Sequence, residues 1–356
     1  MAKAKTVDDI SEKWISEFNK RSPNSVGLAH DILNLRQDVD LAIPTGLLGL
    51  DFQLGRLGGI PRGAYTQIYG NKSAGKSTLG YYITGQAQKL GLLCAWIDPE
   101  ATFDKAFAEI CGVDLKKLMY VLPDDAEEAI DADRDLIASG YDVISLDSLG
   151  ALVTAKEIEA DPEKSLPAAR ARMIKKYFLT TNMAGYKANV AHIFINQLVG
   201  NMKTDSYGNP IKIPAGGEAP QYFSSCTISM KAGQREIEDG KVAGMLSTIT
   251  VEKNKKDVPG GKTEVYFDAG MGFNRVQSAI SAAVEVGIVR QAGAWLYVGE
   301  DKFNGMDKFV DAVTNDTNLG RKLVSSTREA MKSYFSEQDA RLNTERAKIE
   351  SIFEAA

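Results

Sequence analysis

Between Tyr65 and Ile195 short apolar runs alternate with stretches whose apolar residues recur every three or four positions. The runs at Tyr65–Tyr69, Leu92–Ile97, Leu118–Leu122, Tyr141–Leu146 and Val190–Ile195 read as strands. The stretches Ser77–Leu90, Asp104–Cys111, Asp125–Ser139 and Ala168–Lys187 read as helices. Such alternation implies crossover connections, so it predicts an α/β fold with a mostly parallel central sheet covered on both faces. Cys226–Met230, Leu246–Val251 and Thr263–Phe267 follow with hairpin-like links and extend the sheet antiparallel. After residue 276 the pattern changes: a helix around Ile280, Ala283 and Val284, a short strand at Ala294–Val298, and helices over Asp307–Val313 and Leu319–Phe335. This reads as a small α/β C-terminal domain over 277–335, followed by a charged, helix-prone 336–356 that is solvated or lies in an interface. Residues 45–276 form the core. Within 1–44, Thr6–Arg21 carries an apolar stripe at Val7, Ile10, Trp14, Ile15 and Phe18. That stripe packs on its own domain or on another subunit.

Composition changes this picture little. With 44% hydrophobic and 25% charged residues, the chain is an ordinary globular protein with no run fit to span a bilayer. The first residues lack the apolar core of a secretory signal, so a cytoplasmic protein is expected. A net charge of −5 excludes a wholesale basic coat but allows a local basic groove. Cys94, Cys111 and Cys226 have no metal-like spacing and read as buried free thiols.

The chemistry centres on Gly70-Asn71-Lys72-Ser73-Ala74-Gly75-Lys76-Ser77 and the following Thr78. Strand, glycine-rich loop and helix occur in the order a Walker A motif requires. Glycines let backbone N–H groups curl around phosphates, and the helix N-terminus adds partial positive charge. Lys76 reaches the β and γ phosphates, and the Ser77 hydroxyl suits Mg²⁺. The chain therefore binds a nucleoside triphosphate. Asp147, at the end of an apolar strand, has the Walker B character of a second Mg²⁺ partner.

Ligands of open parallel sheets lie beyond the carboxyl ends of the strands. Ile97-Asp98-Pro99-Glu100 ends there in two carboxylates. Glu100 is the candidate general base; Asp98 as base, or both as helix caps, are the alternatives. Asn196-Gln197 ends another strand in amides that can sense a γ-phosphate and pass its state to the segment behind. That segment, Leu198–Gly217, reads as a long functional loop carrying Lys203, Tyr207 and Lys212, a mixture suited to phosphates and base stacking. A second loop, Glu157–Leu166, precedes a helix bearing Arg170, Arg172, Lys175 and Lys176, whose bland reading is a solvated face.

At this point the chain resembles the bacterial RecA-type DNA recombinases, including their phage-encoded relatives. The resemblance spans Thr45 to Tyr297. It rests on Thr45-Gly46-Leu47 through Asp51, Gly58-Gly59-Ile60-Pro61-Arg62-Gly63, Gly70 to Ser77, Ile97 to Glu100, Leu146-Asp147-Ser148 and Phe194-Ile195-Asn196-Gln197. It continues in Tyr207-Gly208-Asn209-Pro210 with Gly216-Gly217, Lys253-Asn254-Lys255 and Ala292-Gly293-Ala294-Trp295.

The resemblance implies a RecA-type P-loop ATPase core, with ATP and Mg²⁺ held between neighbours of a helical filament on single-stranded DNA. It also implies strand exchange with homologous duplex DNA, and single-strand-binding and loader proteins as partners. Glu100 matches the water-activating glutamate and Gln197 the γ-phosphate sensor. Lys253 and Lys255 match lysines that reach a neighbour's ATP. The segments Glu157–Leu166 and Leu198–Gly217, with Gly216 and Gly217, match the two DNA-binding loops, which raises Arg170 and Arg172 as DNA contacts. The N-terminal helix then packs on the adjacent subunit.

Asp104 and Phe107 match positions near adenine, where the aromatic is usually tyrosine. Other departures are Gln221-Tyr222 in place of Lys-Phe, Pro99 and Ala101-Thr102 around the glutamate, and a charge-balanced 336–356 in place of a strongly acidic tail. Two alternatives are a ring-forming ATPase motor of the same fold, which normally uses a trans arginine, and a nucleotide-gated DNA-binding protein with little strand exchange.

Overall fold

The computed structural model describes residues 14–20, 42–159, 167–204 and 210–354. The chain separates into two units, Met1–Leu41 and Ala42–Ala356. In the first, residues 14–19 are helical, and the rings of Trp14 and Phe18 lie 5.4 Å apart, as side chains four apart on one helix face do. The rest of the apolar stripe lies outside the described residues.

The second unit begins with the helix α1 (Leu48–Gln53) and is built on strands β1 (Ala64–Gly70), β2 (Cys94–Ile97), β3 (Leu118–Val121), β4 (Val143–Asp147) and β5 (Ala191–Thr204). The crossover helices are α2 (Lys76–Lys89), α3 (Lys105–Ile110), α4 (Ala126–Ala138) and α6 (Pro167–Lys187), with the short α5 (Ala155–Glu159) before the last. Strands β1, β5, β4, β2 and β3 are adjacent in that order and parallel. Every residue of β2 and β4 is buried, as expected of strands covered on both faces. The pleat sends neighbours to opposite sides. Ile193 and Ile195 join the core beneath α2, whereas Phe194 joins Tyr65, Tyr177 and Phe178 beneath α4 and α6.

The antiparallel extension also forms, with longer strands. The next elements are β6 (Pro210–Pro214), α7 (Ala219–Phe223), β7 (Cys226–Glu238), β8 (Lys241–Asn254), β9 (Lys262–Asp268) and β10 (Gly272–Phe273). Strand β7 runs parallel to β1, and β8, β9 and β10 follow antiparallel. Beyond Met230 the β7–β8 pairing continues although the apolar pattern stops, so hydropathy alone marks only its buried half.

Two loop expectations are corrected. Leu198–Gly217 is largely a hairpin: β5 continues past Gln197, and β6 returns with Val199 opposite Ile213 and Gly200 opposite Lys212. Its glycine and asparagine content marks the turn between the strands, and 205–209, with Tyr207, lie outside the described residues. The start of Glu157–Leu166 is not loop but the end of α5. There the Glu157 N–H donates to Thr154 Oγ1 and the Thr154 N–H donates to Glu157 Oε2, a reciprocal capping box that was readable as Thr-x-x-Glu.

The C-terminal elements are α8 (Arg275–Glu285), the antiparallel β11 (Arg290–Ala292), β12 (Trp295–Val298) and β13 (Asp301–Asn304), then α9 (Met306–Asn315) and α10 (Thr317–Glu354). They enclose a core of their own around Ile280, Leu296, Phe309 and Leu323. The helical stretches expected over Leu319–Phe335 and 336–356 form one continuous element of 38 residues, since neither glycine nor proline follows Gly320 within it. All three cysteines are free and buried, and burial pushes the Cys94 and Cys226 thiols up to about 12, so they are inert.

Asp51 on α1 is 4% exposed and accepts hydrogen bonds from the Thr45 N–H and hydroxyl, both at 2.7 Å. Burial outweighs these bonds and the pull of Arg328 and Arg275, raising its pKa from 3.8 to about 7. As pH rises the unfolded chain ionises first, so this residue's contribution to stability is lost between about pH 4 and 7. In Asp51→Asn the oxygen acceptor remains and there is no proton to lose. Urea unfolding across that interval should show the wild type losing up to about 4 kcal/mol relative to the variant; a constant difference would mean that Asp51 stays ionised.

Candidate active site

The loop 70–77 leaves β1 and enters α2. Gly75 caps the helix at φ 87, and a Cβ there would stand 2.5 Å from the Phe273 ring, so both conformation and space require glycine. Ala74 is buried, while Asn71, Lys72 and Ser73 are exposed and Thr78 is buried under the helix start. A Cβ on Gly70 would collide with the Met230 carbonyl at 2.0 Å. Lys76 Nζ donates to the Asn71 carbonyl at 2.9 Å, folding back over the loop. Burial lowers its pKa, opposed by the charges of Asp147 and Glu100.

Asp147 ends β4 and is 7% exposed. Burial raises its pKa to about 6 against a hydrogen bond from Ser77, and the negative charges of Glu100 and Asp98 reinforce the rise. Ser77 and Asp147 thus lie side by side. This excess of negative charge around one buried carboxylate fits a divalent cation held there. Mg²⁺ is a cation that uses one or two carboxylates together with phosphate oxygens.

Glu100 sits at the meeting point of three strand ends. Its Oε1 accepts a hydrogen bond from the Ser148 hydroxyl and another from Gln197 Nε2 at 3.0 Å. Asp98 has a different role. It is 1% exposed and accepts from the backbone N–H groups of Glu100, Thr102 and Phe103 at 3.2, 2.9 and 2.8 Å, and from the Tyr120 hydroxyl at 2.9 Å. A carboxylate so fully engaged braces the turn that carries Glu100, which leaves Glu100 as the carboxylate available for chemistry.

Asn196 and Gln197 connect the site to the hairpin. Asn196 is fully buried; its Nδ2 donates to the Ala215 carbonyl at 2.8 Å and its Oδ1 accepts from the Gln197 N–H at 2.9 Å. The Ala215 N–H donates to the Gln197 carbonyl at 2.9 Å. Gly216 and Gly217 follow at φ 93 and 72, and a Cβ on Gly216 would press on Ile174 of α6 at 3.1 Å. Lys212 is exposed on β6. Lys203 lies on β5. Arg170 Nε lies 3.9 Å from Glu157, joining α5 to α6, and Arg172 lines a groove with Gly216, Gly217 and Tyr222.

Asp104 caps α3, accepting from the Phe107 N–H at 2.9 Å, and its own N–H donates to the Tyr81 hydroxyl at 3.1 Å. Phe107 is half-buried beside Phe267, with ring centres 6.3 Å apart. The lysines lie elsewhere. Strand β1 places Thr66 beside Cys226 and Gly70 beside Met230, and Asn254 pairs with Cys226. Lys253 and Lys255 thus stand at the end of the sheet away from their own phosphate loop. Lys253 Nζ donates to the Gln221 carbonyl at 2.6 Å, and burial, then Lys255, lowers its pKa. Lys255 is exposed, and Tyr222 beside Gln221 is 75% exposed.

Sequence reasoning missed the bracing by Ser148, Tyr81 and Tyr120. The hydroxyl directly after Asp147 was a signal; the two phenols had none, because only the fold brings them to the turn.

A buried parallel sheet, a phosphate loop after its central strand and carboxylates at the neighbouring strand ends define a P-loop nucleotide-binding protein. The model of the RecA N-terminal domain matches residues 18–274. Protein RecA of Chloroflexus aurantiacus is 35% identical over 305 residues, 85% of this chain and 83% of the relative. Protein RecA of Thermus aquaticus is 36% identical over 305 residues, covering 84% and 86%. Protein RecA of Porphyromonas gingivalis is 34% identical over 326 residues, covering 91% and 93%. The chain belongs to the RecA family of DNA recombinases and is a DNA-dependent ATPase.

Asp98→Ala should leave nucleotide affinity close to the wild-type value, since the phosphate loop is untouched. It should lower the hydrolysis rate on the order of 10²-fold through loss of Glu100 positioning. Titration with a fluorescent nucleotide beside phosphate-release assays separates the two, and an unchanged rate would show that the brace is dispensable.

Proposed function

We propose that ATP with Mg²⁺ is bound at the joint between neighbouring subunits of a helical filament on single-stranded DNA. One subunit provides Gly70 to Thr78, Glu100, Asp147 and Gln197, and the next provides Lys253 and Lys255. The observation that carries this reading is the position of the two lysines at the far end of the sheet from their own phosphate loop. From there they serve a second copy of the chain. The DNA is exchanged with a homologous duplex, base pairing selecting the sequence and the protein supplying backbone contacts.

Within one half-site, Lys76 neutralises the β and γ phosphate charge, and Ser77 with Asp147 would hold Mg²⁺, which would supply charge stabilisation to the phosphates. Glu100, held by Ser148 and Gln197, orients and deprotonates water. Gln197 exchanges its bond to Glu100 for one to the γ-phosphate, and Asn196 transmits that exchange to the hairpin at Ala215. Asp104 and Phe107 flank the adenine. Lys203, Tyr207, Lys212, Arg170 and Arg172, with Gly216 and Gly217 as pivots, face the DNA.

In this reading 1–44 is the polymerisation arm, 45–276 the motor, 277–335 the small C-terminal domain and 336–356 its helical extension. The protein works in the cytoplasm of a bacterium, or of a phage-infected one, alongside single-strand-binding and loader proteins.

ATP hydrolysis should rise at least about tenfold on adding single-stranded DNA at low salt, because assembly completes the site. Lys76→Ala should abolish it. Mixing Lys253→Ala subunits with Lys76→Ala subunits should restore part of the activity, since some joints then pair an intact loop with intact lysines. Mixtures as inactive as either variant alone would refute a role across the joint.

A further inference from the structure

Between α1 and the C-terminal helices α8, α9 and α10 lies a cavity of about 710 Å³ that the nucleotide chemistry does not use. Its lining includes the aliphatic Leu48, Ala279, Val313 and Val324 together with the buried Asp51, which feels the charges of Arg328 and Arg275. Its rim carries Arg275, Arg321 and Arg328, against one rim carboxylate, Glu329. Arg275 is engaged: its Nε donates to the Gly46 carbonyl at 3.1 Å and its guanidinium lies 5.8 Å from the centre of the Tyr82 ring. Arg321 and Arg328 are exposed and, among the described residues, make no hydrogen bond or ion pair. They lie seven residues apart on α10, so two turns, roughly 10 Å, separate their Cα atoms on one helix face. Asp51 at the floor already has its Thr45 partners.

The volume is that of a ligand site, and the lining mixes aliphatic side chains with polar and charged ones. The charge at the rim selects an anion. The lining contains no aromatic side chain, so a nucleic-acid base finds no stacking surface. The anion's remaining surface must therefore be aliphatic.

We propose that this cavity docks an acidic segment of a partner protein, an aliphatic side chain filling the floor and two carboxylates about two helical turns apart engaging Arg321 and Arg328. The pairing is at the rim and solvated, so it sets specificity and association rate more than it buries charge. Binding weakens as salt screens it.

The probe is a fluorescein-labelled helical peptide with two glutamates seven positions apart and a leucine between them on the same face. Anisotropy titration with the full-length protein should show saturable binding. Replacing both glutamates of the probe by glutamine, or Arg321→Glu with Arg328→Glu in the protein, should each raise Kd at least about tenfold. DNA-stimulated ATP hydrolysis should be unchanged in the charge-reversed protein, which also shows that it folds; the Arg321→Gln/Arg328→Gln variant repeats the test with a milder change. The proposal is overturned if no saturable binding occurs up to about millimolar protein, or if the charge-reversed protein binds the probe as well as the wild type does. Equal binding accompanied by loss of DNA stimulation would assign these arginines to nucleic acid instead.

Discussion

Glu100 Oε1 accepts from Ser148, which follows β4, and from Gln197 of β5, while Glu100 itself follows β2. One oxygen thus couples the ends of three strands. The parallel sheet makes this possible, since every strand of the set delivers its carboxyl end to the same edge. The bond is also conditional. A phosphate oxygen is an acceptor of the same kind, so an anion beside the loop competes with Glu100 for the Gln197 amide. Whatever moves Gln197 is felt at Ala215, because Asn196 and the backbone of Gln197 both bond to that residue. The path from nucleotide to hairpin is therefore a short run of hydrogen bonds on adjacent residues.

The same site has an electrostatic cost. Asp98, Glu100 and Asp147 crowd one strand edge, with Lys76 as the cation beside Asp147 and Glu100. Like charges brought together under partial burial disfavour the ionised state, as the raised pKa of Asp147 reflects. Asp98 is engaged by three N–H donors and the Tyr120 hydroxyl. A cation placed beside Asp147 would relieve that repulsion.

Much of this was legible in the residues, for identifiable reasons. The parallel strands announce themselves because double-sided burial produces unbroken apolar runs such as Val143–Leu146. The phosphate loop does so because its glycines answer to geometry at fixed spacing. The hairpin after Gln197 was not legible as strand. Its strands carry Gly200, Asn201, Pro210 and Pro214, and with Gly208 between them these residues point to turns and loop. Asp98 was ambiguous, since a carboxylate that braces a turn and one that activates water have the same sequence context. The fold shows Asp98 engaged by four donors, which the sequence context alone does not carry. The C-terminal helix was legible on both sides of Phe335, and the two stretches are one element because the backbone has no reason to break where the apolar stripe stops.

The separation of Lys253 and Lys255 from the loop at Gly70 constrains assembly further. If the lysines complete a neighbour's site, the surface that gives and the surface that receives are different patches of one chain. That is a heterologous contact, which propagates head to tail. Such a contact closes into a ring only if its rotation divides a full turn; otherwise it grows as a helix along its DNA. The lysine contact is also adjustable. Lys253 is tied to the carbonyl of Gln221, next to the exposed Tyr222. A lysine is a flexible point charge rather than a planar fork, so it can leave that carbonyl for a phosphate oxygen without a fixed docking geometry. The residues in which this chain departs from the common Lys-Phe pattern thus lie where the reach of the lysine is set, and a change there acts on the joint without touching the phosphate loop.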